Sequence, residues 1–364
     1  MKLFLFYIVS CLLFFSVPVT KSYASENSFS LEQYSISDSI QNSIQEDRPD
    51  SIQNSGQEVR KMYLPISQFT YSGDRRYTID GSLPNLRSKL RPVPASIVGG
   101  LYLGTLVFLH FNQQNAWWSD NRGNFHFQED WVSALQVDKA GHAFGGYIMS
   151  YMLTEGLTVS GLSWEAANIF GSSLALAYQT YVEVEDGYAK KWGFSPSDWY
   201  FDVMGPLFFL SQHYVPALQK ITPKWQFVPS EWTDKPKIVR PRTFIDDYNS
   251  STFWWSFDVY NILPQDKQKY WPKWLNLALG YGGDAIDANT NPDGPPDQLS
   301  VRRYIVGLDF NLVRIIPETS TFLDWFKQSL NYIKLPAPAV EFTKKGTKLY
   351  LLYPFRISLG DIKF

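Results

Sequence analysis

The sequence predicts an α+β fold: a mainly α-helical core of about four to six helices with a small C-terminal antiparallel β extension. Uncharged apolar stretches of helical length fill much of residues 93–219, and polar motifs at helical spacing lie between them. From about residue 225, strand-length runs replace the helical pattern. The expected organisation is a signal peptide at 1–24, a linker at 25–60, a helical domain at 61–225 and a β-rich extension at 226–364.

The first 24 residues have the pattern of an export signal. Lys2 precedes an apolar stretch from Leu3 to Val17, and Ser22-Tyr23-Ala24 offers a small-x-small cleavage site, so cleavage is expected after Ala24. An uncleaved anchor stays an alternative. The only cysteine, Cys11, lies inside the apolar stretch and fits poorly as a lipid acceptor. The mature chain is expected to contain no disulfide.

Residues 25–60 predict a flexible tether. They are rich in Ser, Gln, Asn and Asp and contain a tandem duplication, "SIQNSIQEDRPD" followed by "SIQNSGQEVRKM". Such a segment buries too little apolar surface to offset the entropy of ordering the chain. The repeat is far too short for a solenoid unit.

Composition narrows the expected partners. The net charge is −2, and no basic stripe interleaved with aromatic residues occurs, so nucleic acid is not an expected partner. Aromatic residues make up 17% of the chain, with 13 Trp, a composition typical of membrane interfaces and of sugar-binding surfaces. We expect membrane lipids as partners and an exported location, periplasmic or associated with the outer membrane. No protein partner follows from the sequence.

Three uncharged segments predict the helical core. Val93 to Ser119 contains no Asp, Glu, Lys or Arg, and its apolar centre, Ile97 to Phe111, is shorter than the roughly 20 residues that cross a bilayer. Trp117 and Trp118 follow as an interfacial aromatic pair would. Residues 166–182 and 203–219 are also uncharged, but each is at the lower edge of membrane-spanning length and carries polar side chains. Insertion into a membrane and burial in a compact bundle resting on one both stay open.

The stretch "DKAGHAFGGY" combines opposite charges with small residues. If a helix begins near Val137, Asp138 and His142 share a face, and Lys139 projects about a quarter-turn away. Gly141, Gly145 and Gly146 then form a strip without side chains, where another helix can approach closely.

Two acidic motifs follow at helical spacing. Glu183 and Asp186 lie on one face at the end of a helix that Gly187 ends. Ser195 is a helix cap, Pro196 suits the first helical position, and Asp198 and Asp202 lie one turn apart in the new helix. Gly205-Pro206 permits a close approach followed by a kink.

These three motifs together resemble a family. "DKxxH", "ExxD" and "SxxDxxxDVxG" are similar to those of the YfiM-type predicted periplasmic lipoproteins, a domain family of unknown function, and more loosely to those of VanZ-like membrane proteins. The resemblance covers about residues 95–220. It implies an envelope location and a helical core, and it transfers no activity. The chain departs from the lipoprotein members in lacking a lipobox cysteine and in its long C-terminal extension.

Two interpretations of the motifs stay open. In the first, the protein is non-catalytic and membrane-associated. Its polar groups cap or end helices and pair with one another, and this network fixes helix packing. In the second, the acids and the imidazole converge as a metal or acid/base site of a hydrolase acting on an envelope lipid or glycan, with a divalent metal as its one possible cofactor. The candidate site residues are Asp138, His142, Glu183, Asp186, Asp198 and Asp202. The candidate packing residues are Lys139, Gly145, Gly146, Ser195 and Gly205.

The remaining sequence offers little other chemistry. His110, His126 and His213 are lone histidines and are expected to be satisfied core or surface groups. There is no G-x-S-x-G elbow, phosphate-binding glycine loop, dinucleotide fingerprint or H-E-x-x-H motif. The enzyme interpretation therefore depends on the acidic and His142 cluster.

The C-terminal part predicts four to six antiparallel strands. "WLNLALGYG", "RYIVGLDFNLV" and "KLYLLYPFRISL" have strand length, and in the second Tyr304, Val306, Leu308, Phe310 and Leu312 share an apolar face. So few strands argue against a closed outer-membrane barrel, which needs eight. The acidic loop at 282–300 lacks calcium-loop spacing and is expected to be a hairpin loop. A glycan-binding module, a third alternative, requires exposed aromatics on one sheet face. Trp254, Trp255, Trp271 and Trp274 are expected either at lipid headgroups or in a buried cluster.

Overall fold

The structure is a computed structural model that describes residues 62–233, 243, 245–286, 300–356, 358–359 and 362–363. The predicted signal peptide, the linker with its tandem repeat and most of the acidic hairpin loop lie outside these residues. Contacts divide the chain into two compact units, Met1–Pro65 and Ile66–Phe364, and every element described below belongs to the second.

Four long helices form the first part of this unit. They are α1 (Pro92–Gln113), α2 (Val137–Val159), α3 (Trp164–Gly187) and α4 (Pro196–Tyr214). A π-helical turn, Gln114–Trp118, extends α1, so this helix is longer than the apolar centre of the sequence indicates. Shorter helices follow in the C-terminal half: α5 (Val259–Ile262), α6 (Gln265–Gln268), α7 (Leu312–Ile315) and α8 (Thr321–Leu330).

The ends of these helices follow local sequence signals. Ser163 Oγ accepts from the Ala166 amide at the start of α3, and Ser195 Oγ accepts from the Asp198 amide at 3.2 Å at the start of α4. These bonds satisfy amides that have no partner within the helix. Gly187 ends α3 as predicted. Helix α4 continues through Pro206 to Tyr214.

Glycines allow α4 to pack closely on α2. A Cβ atom on Gly146 would lie 2.7 Å from Pro206 Cδ, and one on Gly205 would overlap the carbonyl oxygen of Ala143. A Cβ atom on Gly141 would instead make ordinary contact with Phe253 of the sheet. The backbones of α2 and α4 therefore approach to a distance that other residues at 146 and 205 would prevent.

A six-stranded antiparallel sheet forms the second part of the unit. Its strands pair in sequence order as a meander: β3 (Ile221–Phe227), β4 (Ser251–Phe257), β5 (Leu275–Asp284), β6 (Val301–Phe310), β7 (Ala339–Thr343) and β8 (Gly346–Tyr350). Two-stranded hairpins precede and follow it, β1 (Thr70–Tyr71) with β2 (Asp74–Arg75), and β9 (Ser358–Leu359) with β10 (Ile362–Lys363). The α+β prediction is confirmed.

The two faces of the sheet differ in polarity: the buried face carries ion pairs beside an apolar cluster, and the other face exposes apolar side chains. Val306 and Leu279, cross-strand neighbours on one face, are 46% and 50% exposed. On the opposite face Arg303 and Asp309 are each 1% exposed. The apolar face predicted for β6 is thus the exposed one, and Leu312 lies beyond it in α7.

Ion pairs fill the buried side of the sheet. Lys224 Nζ lies 2.7 Å from Asp309 Oδ2, and Arg303 pairs with Glu341. Trp254 packs edge-on against Tyr353 among these charges. Of the four tryptophans assigned to headgroups or to a buried cluster, Trp254 is buried, while Trp255 and Trp274 are exposed.

Helix α2 lies between the helices and the sheet. Tyr147 and Tyr151 of α2 pack with Phe209 of α4 and with Tyr332. On the sheet side, Phe144 contacts the rings of Trp225 and Phe253. The first turns of α2, which carry the predicted motif, are therefore held by α3, α4 and the sheet together.

A left-handed turn of three residues precedes α2. Ala134, Leu135 and Gln136 have φ values of 42°, 58° and 63°, a conformation that costs each non-glycine residue about 1–2 kcal/mol. Ala134, Leu135 and Val137 pack with Ile286 from the end of β5, and Arg302 Nη2 donates to Gln136 Oε1 at 2.7 Å. These contacts with the sheet hold the strained turn in place.

Candidate functional site

Three helix ends bring the predicted residues together. Asp138 and His142 lie in the first turns of α2, Glu183 lies in the last turns of α3, and Asp198 and Asp202 begin α4. Because α2 and α4 both begin here, their N-terminal dipoles favour negative charge at this end. The arrangement is therefore suited to hold several carboxylates. We call this set of residues the acid–imidazole centre: Asp138, His142, Glu183, Asp198 and Asp202.

His142 is at the middle of this centre. Its Nδ1 atom lies 2.9 Å from Asp202 Oδ1 and 3.8 Å from Glu183 Oε1. Its Nε2 atom lies 3.6 Å from both Asp138 Oδ1 and Asp198 Oδ1. The imidazole side chain is 21% exposed, whereas the Asp202 side chain is 1% exposed. The ring therefore links two pairs of carboxylates, and part of its surface reaches solvent.

Two sets of three ligand atoms have spacing suited to a metal ion. Asp138, His142 and Asp198 form one set, and His142, Glu183 and Asp202 form the other, with the atoms of each set within 4.8 Å of one another. Carboxylate oxygens with one imidazole suit divalent cations such as Mg²⁺, Mn²⁺ or Zn²⁺. The donor set thus fits a divalent cation without selecting one.

Asp202 has an incomplete set of hydrogen bonds. Gln179 Nε2 donates to Asp202 Oδ1 at 2.7 Å, which fixes the carboxylate beside His142. Asp202 Oδ2 is buried and has no hydrogen-bond partner among the described residues. Since buried carboxylate oxygens normally have partners, this atom provides a free ligand position.

Lys139 is fully buried beside the centre and is fully paired. Its Nζ atom lies 2.5 Å from Asp130 Oδ1, 2.6 Å from Asp198 Oδ1 and 3.2 Å from Asp138 Oδ2. Ser195 and Ser197 donate to the same oxygen of Asp130. Lys139 thus ties the start of α2 to the start of α4 and to the preceding loop.

The structure separates Asp186 from the other predicted acids. Trp118 Nε1, at the end of the turn that follows α1, donates to Asp186 Oδ1 at 2.6 Å. Asp186 also accepts at its backbone oxygen from the amides of Ala189 and Gly193. Asp186 therefore connects α3 with α1 and with the α3–α4 loop, and it belongs to neither candidate metal set.

The predicted packing residues lie around the centre. Gly146 and Gly205 are at the α2–α4 contact, and a Cβ atom on Gly145 would meet Gln179 Nε2 at 3.5 Å. Ser195 caps α4, donates to Asp130 through its hydroxyl, and donates its amide to Glu183 Oε2 at 3.3 Å. One serine therefore both starts a helix and orients two acids.

Burial and neighbouring charges have opposite effects on the pKa values of His142 and Asp138. Burial opposes protonation of His142, but the carboxylates of Asp198 and Asp202 raise its pKa well above 6.5. Burial also tends to raise the pKa of Asp138, but the charges of His142 and Lys139 lower it to about 2. Without a bound cation, a protonated imidazole beside an ionised Asp138 is therefore the favoured pair at neutral pH, and a metal ion bound by His142 would displace that proton.

Other acids keep their protons to higher pH. Burial, followed by repulsion from Asp138, raises the pKa of Asp198 to about 8. Burial raises the pKa of Glu183 well above its usual range and that of Asp186 to about 7. The centre therefore contains carboxyl groups able to donate a proton near neutral pH.

Sequence reasoning missed several members of the site. Asp130 and Tyr248 lie in irregular segments, and Tyr248 Oη donates to Asp138 Oδ1 at 2.6 Å. No periodicity marks such positions. Gln179 precedes Glu183 by four residues and shares its helical face, so the helical spacing contained a signal for it.

The other histidines lie outside the centre. His110 Nδ1 lies 2.5 Å from Tyr181 Oη, and His126 is partly buried. His213 packs edge-on against Trp164, and burial lowers its pKa. Each has the local role expected of a lone histidine.

Comparison with known proteins bears on the segment that builds the centre. No curated protein and no solved structure matches the chain. A family model does match residues 126–210, well under half of the chain, and it is described as a predicted periplasmic lipoprotein family, DUF2279. The acid–imidazole centre lies entirely within this range, which supports an exported, periplasmic location in the cell envelope. The segment that carries the candidate site is therefore similar to a family of predicted periplasmic lipoproteins.

Proposed function

We propose that this cell-envelope protein is a hydrolase whose acid–imidazole centre binds a divalent cation, and that it acts on an envelope lipid or glycan. The observation that carries the proposal is the buried surplus of acids. Five carboxyl groups, those of the centre together with Asp130, surround two basic groups, Lys139 and His142. Burial of unbalanced charge is costly, so this surplus must be offset by protons or by a cation.

The unpartnered oxygen of Asp202 favours a cation. A proton held by Glu183 or Asp198 lowers the negative charge of the centre. It does not supply a partner for Asp202 Oδ2, which has no hydrogen bond among the described residues. A divalent cation at the His142, Glu183 and Asp202 set would meet both needs.

The surrounding residues suit hydrolysis. A bound divalent cation lowers the pKa of coordinated water and so supplies a nucleophile at neutral pH. Gln179 and Asp202 orient the imidazole, and Asp198, with its pKa raised to about 8, can donate a proton to a leaving group. The 21% exposure of His142 offers a route for a substrate.

Metal content tests the cation centre directly. Wild type, His142→Ala and Asp202→Asn would be purified without chelator, incubated with Mg²⁺, Mn²⁺ and Zn²⁺, dialysed, and analysed by elemental mass spectrometry. We expect near-stoichiometric metal in the wild type and its loss in both variants. Asp266→Asn, at an acid whose side chain is 70% exposed, is the matched control and should retain metal.

The outcome that contradicts the proposal is a metal-free wild type. Thermal unfolding of each variant separates loss of a ligand from loss of the fold. A folded Asp202→Asn protein that keeps its metal would also contradict the assignment of that ligand.

A purely structural network is the second candidate, and the pairing of Lys139 favours it. Three acids around one buried ammonium fix the contact between α2 and α4 whether or not a metal binds. If the wild type holds no metal and both site variants are less stable, the network is the function of these residues. The chain is then a non-catalytic envelope protein.

A glycan-binding sheet has weaker support. Trp255, Tyr304 and Phe342 are 40%, 53% and 43% exposed on one face of the sheet. Their neighbours Leu279 and Val306 offer no hydrogen-bonding groups for sugar hydroxyls. This face is better suited to acyl chains.

A further inference from the structure

Helix α1 exposes apolar side chains along most of its length. Leu103 and Phe111 are 63% and 58% exposed, and a Cβ atom on Gly104 would meet nothing within 4 Å. One narrow face attaches the helix to the molecule: Tyr102 Oη donates to Met152 O at 2.8 Å. Apolar side chains are stabilised by removal from water, so exposure of the whole outer side to water is unfavourable.

The length and the charges of this segment match a bilayer. Helix α1 has 22 residues and spans about 33 Å, close to the roughly 30 Å hydrocarbon thickness. With its terminal turn, Pro92–Trp118, it is long and apolar enough to cross a membrane, and it is not a buried core helix. A helix that lies along a membrane surface needs a charged face. Helix α1 contains no Asp, Glu, Lys or Arg, so a transbilayer orientation fits it better.

Residues at both ends of α1 have the chemistry of headgroup anchors. Arg87 and Lys89, both exposed, precede the helix, and cationic side chains there favour lipid phosphates. Arg91 instead pairs with Asp80 at 2.7 Å. Trp117, in the turn that ends it, is partly exposed, and tryptophan is enriched where a bilayer meets water. Trp118, expected to be its interfacial partner, is instead fully buried. Charge complementarity therefore identifies phospholipid as the occupant of the exposed face.

The sheet provides an independent observation. On its apolar face, α2 packs against Phe253 and α4 against Trp255, while Leu279 and Val306 remain exposed. The opposite face carries buried ion pairs, so the exposed part of the apolar face is suited to contact lipid. The exposed Trp255 packs edge-on against Phe208 in the C-terminal half of α4, away from the end that carries the acid–imidazole centre. Two elements with different secondary structure therefore show the same outward preference for hydrocarbon.

We propose that α1 crosses a phospholipid bilayer, that the exposed apolar face of β5–β8 contacts its acyl chains, and that the acid–imidazole centre lies at the level of the lipid headgroups. The last part follows from the contact of Trp118 with Asp186, since the aromatic end of α1 is beside the end of α3 that carries Glu183. If the proposed hydrolase function holds, this placement identifies the substrate class: the polar headgroup of an amphiphile in the same membrane.

Spin-label depth measurements test this placement. The full chain, with Cys11→Ser as background, would be reconstituted in phosphatidylcholine–phosphatidylglycerol vesicles, with single cysteines at Leu103, Leu279, Trp131 or Lys345. We expect labels at Leu103 and Leu279 to collide with oxygen and to be shielded from a nickel chelate. The label at Lys345, in the exposed β7–β8 turn, is the water-facing control.

The label at Trp131 reports the level of the centre. Trp131 is 53% exposed and adjoins Asp130, so its label should have collision rates between those of Leu103 and Lys345. A label at Leu103 or Leu279 as open to nickel as Lys345 would overturn the membrane placement. A label at Trp131 with the collision rates of Leu103, or with those of Lys345, would contradict the placement of the centre at the headgroup level and with it the substrate class.

Metal analysis of the wild type beside its depth series separates this inference from the proposed function. A metal-free wild type with the expected depth profile removes the hydrolase and leaves the membrane placement standing. Stoichiometric metal with a water-exposed α1 removes the membrane placement and leaves the cation centre standing.

Discussion

At the scale of single residues, the molecule buries charge and balances it locally. Lys139 is surrounded by three acids, and Arg76 Nη2 pairs with Glu155 Oε1 at 2.8 Å between α2 and the N-terminal hairpin. Each of these cations is at most 7% exposed. Loss of one partner therefore leaves the other as an uncompensated charge in a medium that solvates it poorly.

Lys139→Met should destabilise the protein strongly. The methionine keeps much of the lysine volume but leaves Asp130, Asp138 and Asp198 without their shared counter-charge. We expect a loss of about 3–5 kcal/mol in the free energy of unfolding. Chemical unfolding in detergent micelles measures it.

The matched control for this change is Lys267→Met. Lys267 pairs with Asp266 at 3.5 Å, but both side chains are more than half exposed. Water screens such a pair, so we expect a loss below about 1 kcal/mol. Equal losses in the two variants would contradict a special role for the buried ammonium.

Lys334 predicts a pH dependence of stability in the alkaline range. Burial lowers its pKa from 10.5 to about 8, while Asp309 opposes the shift. The unfolded chain therefore holds this proton more tightly than the folded protein, so the free energy of unfolding rises as pH increases from about 8 to 10.5. The gain is roughly 2–3 kcal/mol at 1.4 kcal/mol per unit.

Comparison with Lys334→Met isolates this effect from other titrations. The difference in unfolding free energy between wild type and variant should shift in favour of wild type between pH 7 and pH 10. Parallel pH curves for the two proteins would show that Lys334 titrates alike in the folded and unfolded states.

The sequence identified most of the acid–imidazole centre because helical spacing carried the information. Asp138 and His142 are four residues apart, and so are Asp198 and Asp202, which places each pair on one face. Asp130 could not be identified this way, since it precedes α2 in an irregular segment. The partner of Asp186 was equally hidden, because only tertiary packing brings Trp118 to it.

At the scale of elements, close approach of α2 and α4 fixes the geometry of the centre. Gly146 and Gly205 face the partner helix, and the carbonyl of Ala143 occupies the space that a side chain at 205 would fill. The sequence predicted this contact, since glycines at helical spacing indicate an approaching backbone.

Gly205→Ala should destabilise this contact. The new methyl group would overlap the Ala143 carbonyl, and because that group belongs to the backbone, α4 must move away from α2. We expect a loss of about 1–3 kcal/mol from overpacking, with weaker metal binding. Unfolding midpoints and metal content measure the two effects.

Gly104→Ala is the opposite case in α1. Nothing lies within 4 Å of the added methyl group, and alanine is favoured over glycine in a helix by about 1 kcal/mol. We expect unchanged or slightly higher stability. A loss at 104 as large as that at 205 would refute the steric explanation.

At the scale of the whole molecule, the sheet carries ion pairs on its buried face and apolar side chains on its exposed face. The sequence showed the alternation of β6 but could not show which face is buried, because alternation has the same period in either orientation. It also did not single out β3, whose inward positions Lys224 and Gln226 are polar. Polar side chains can be buried at this face because the folded sheet places Lys224 beside Asp309 as an ion pair.

Neighbouring residues of β6 should respond in opposite ways to substitution. Val306→Lys places a charge on the outer face, which costs about 2–4 kcal/mol at the centre of a bilayer. We expect at least a tenfold loss of vesicle binding by flotation, with the fold in detergent retained. Ile305, 1% exposed on the inner face, should instead lose about 2–5 kcal/mol of stability as Ile305→Ala. Unaltered flotation of Val306→Lys would contradict an outer face in lipid.

The left-handed turn before α2 also joins two parts of the molecule mechanically. Its backbone and side chains are bonded to the β5–β6 hairpin: Tyr281 Oη donates to the Leu135 carbonyl, and Arg302 donates to Gln136. The next two residues begin α2 and include Asp138. Strained residues have little freedom to absorb a displacement, so the turn acts as a stiff joint. A displacement of the β5–β6 hairpin would therefore also displace the first turn of α2. The position of Asp138 depends on the sheet as much as on its own helix.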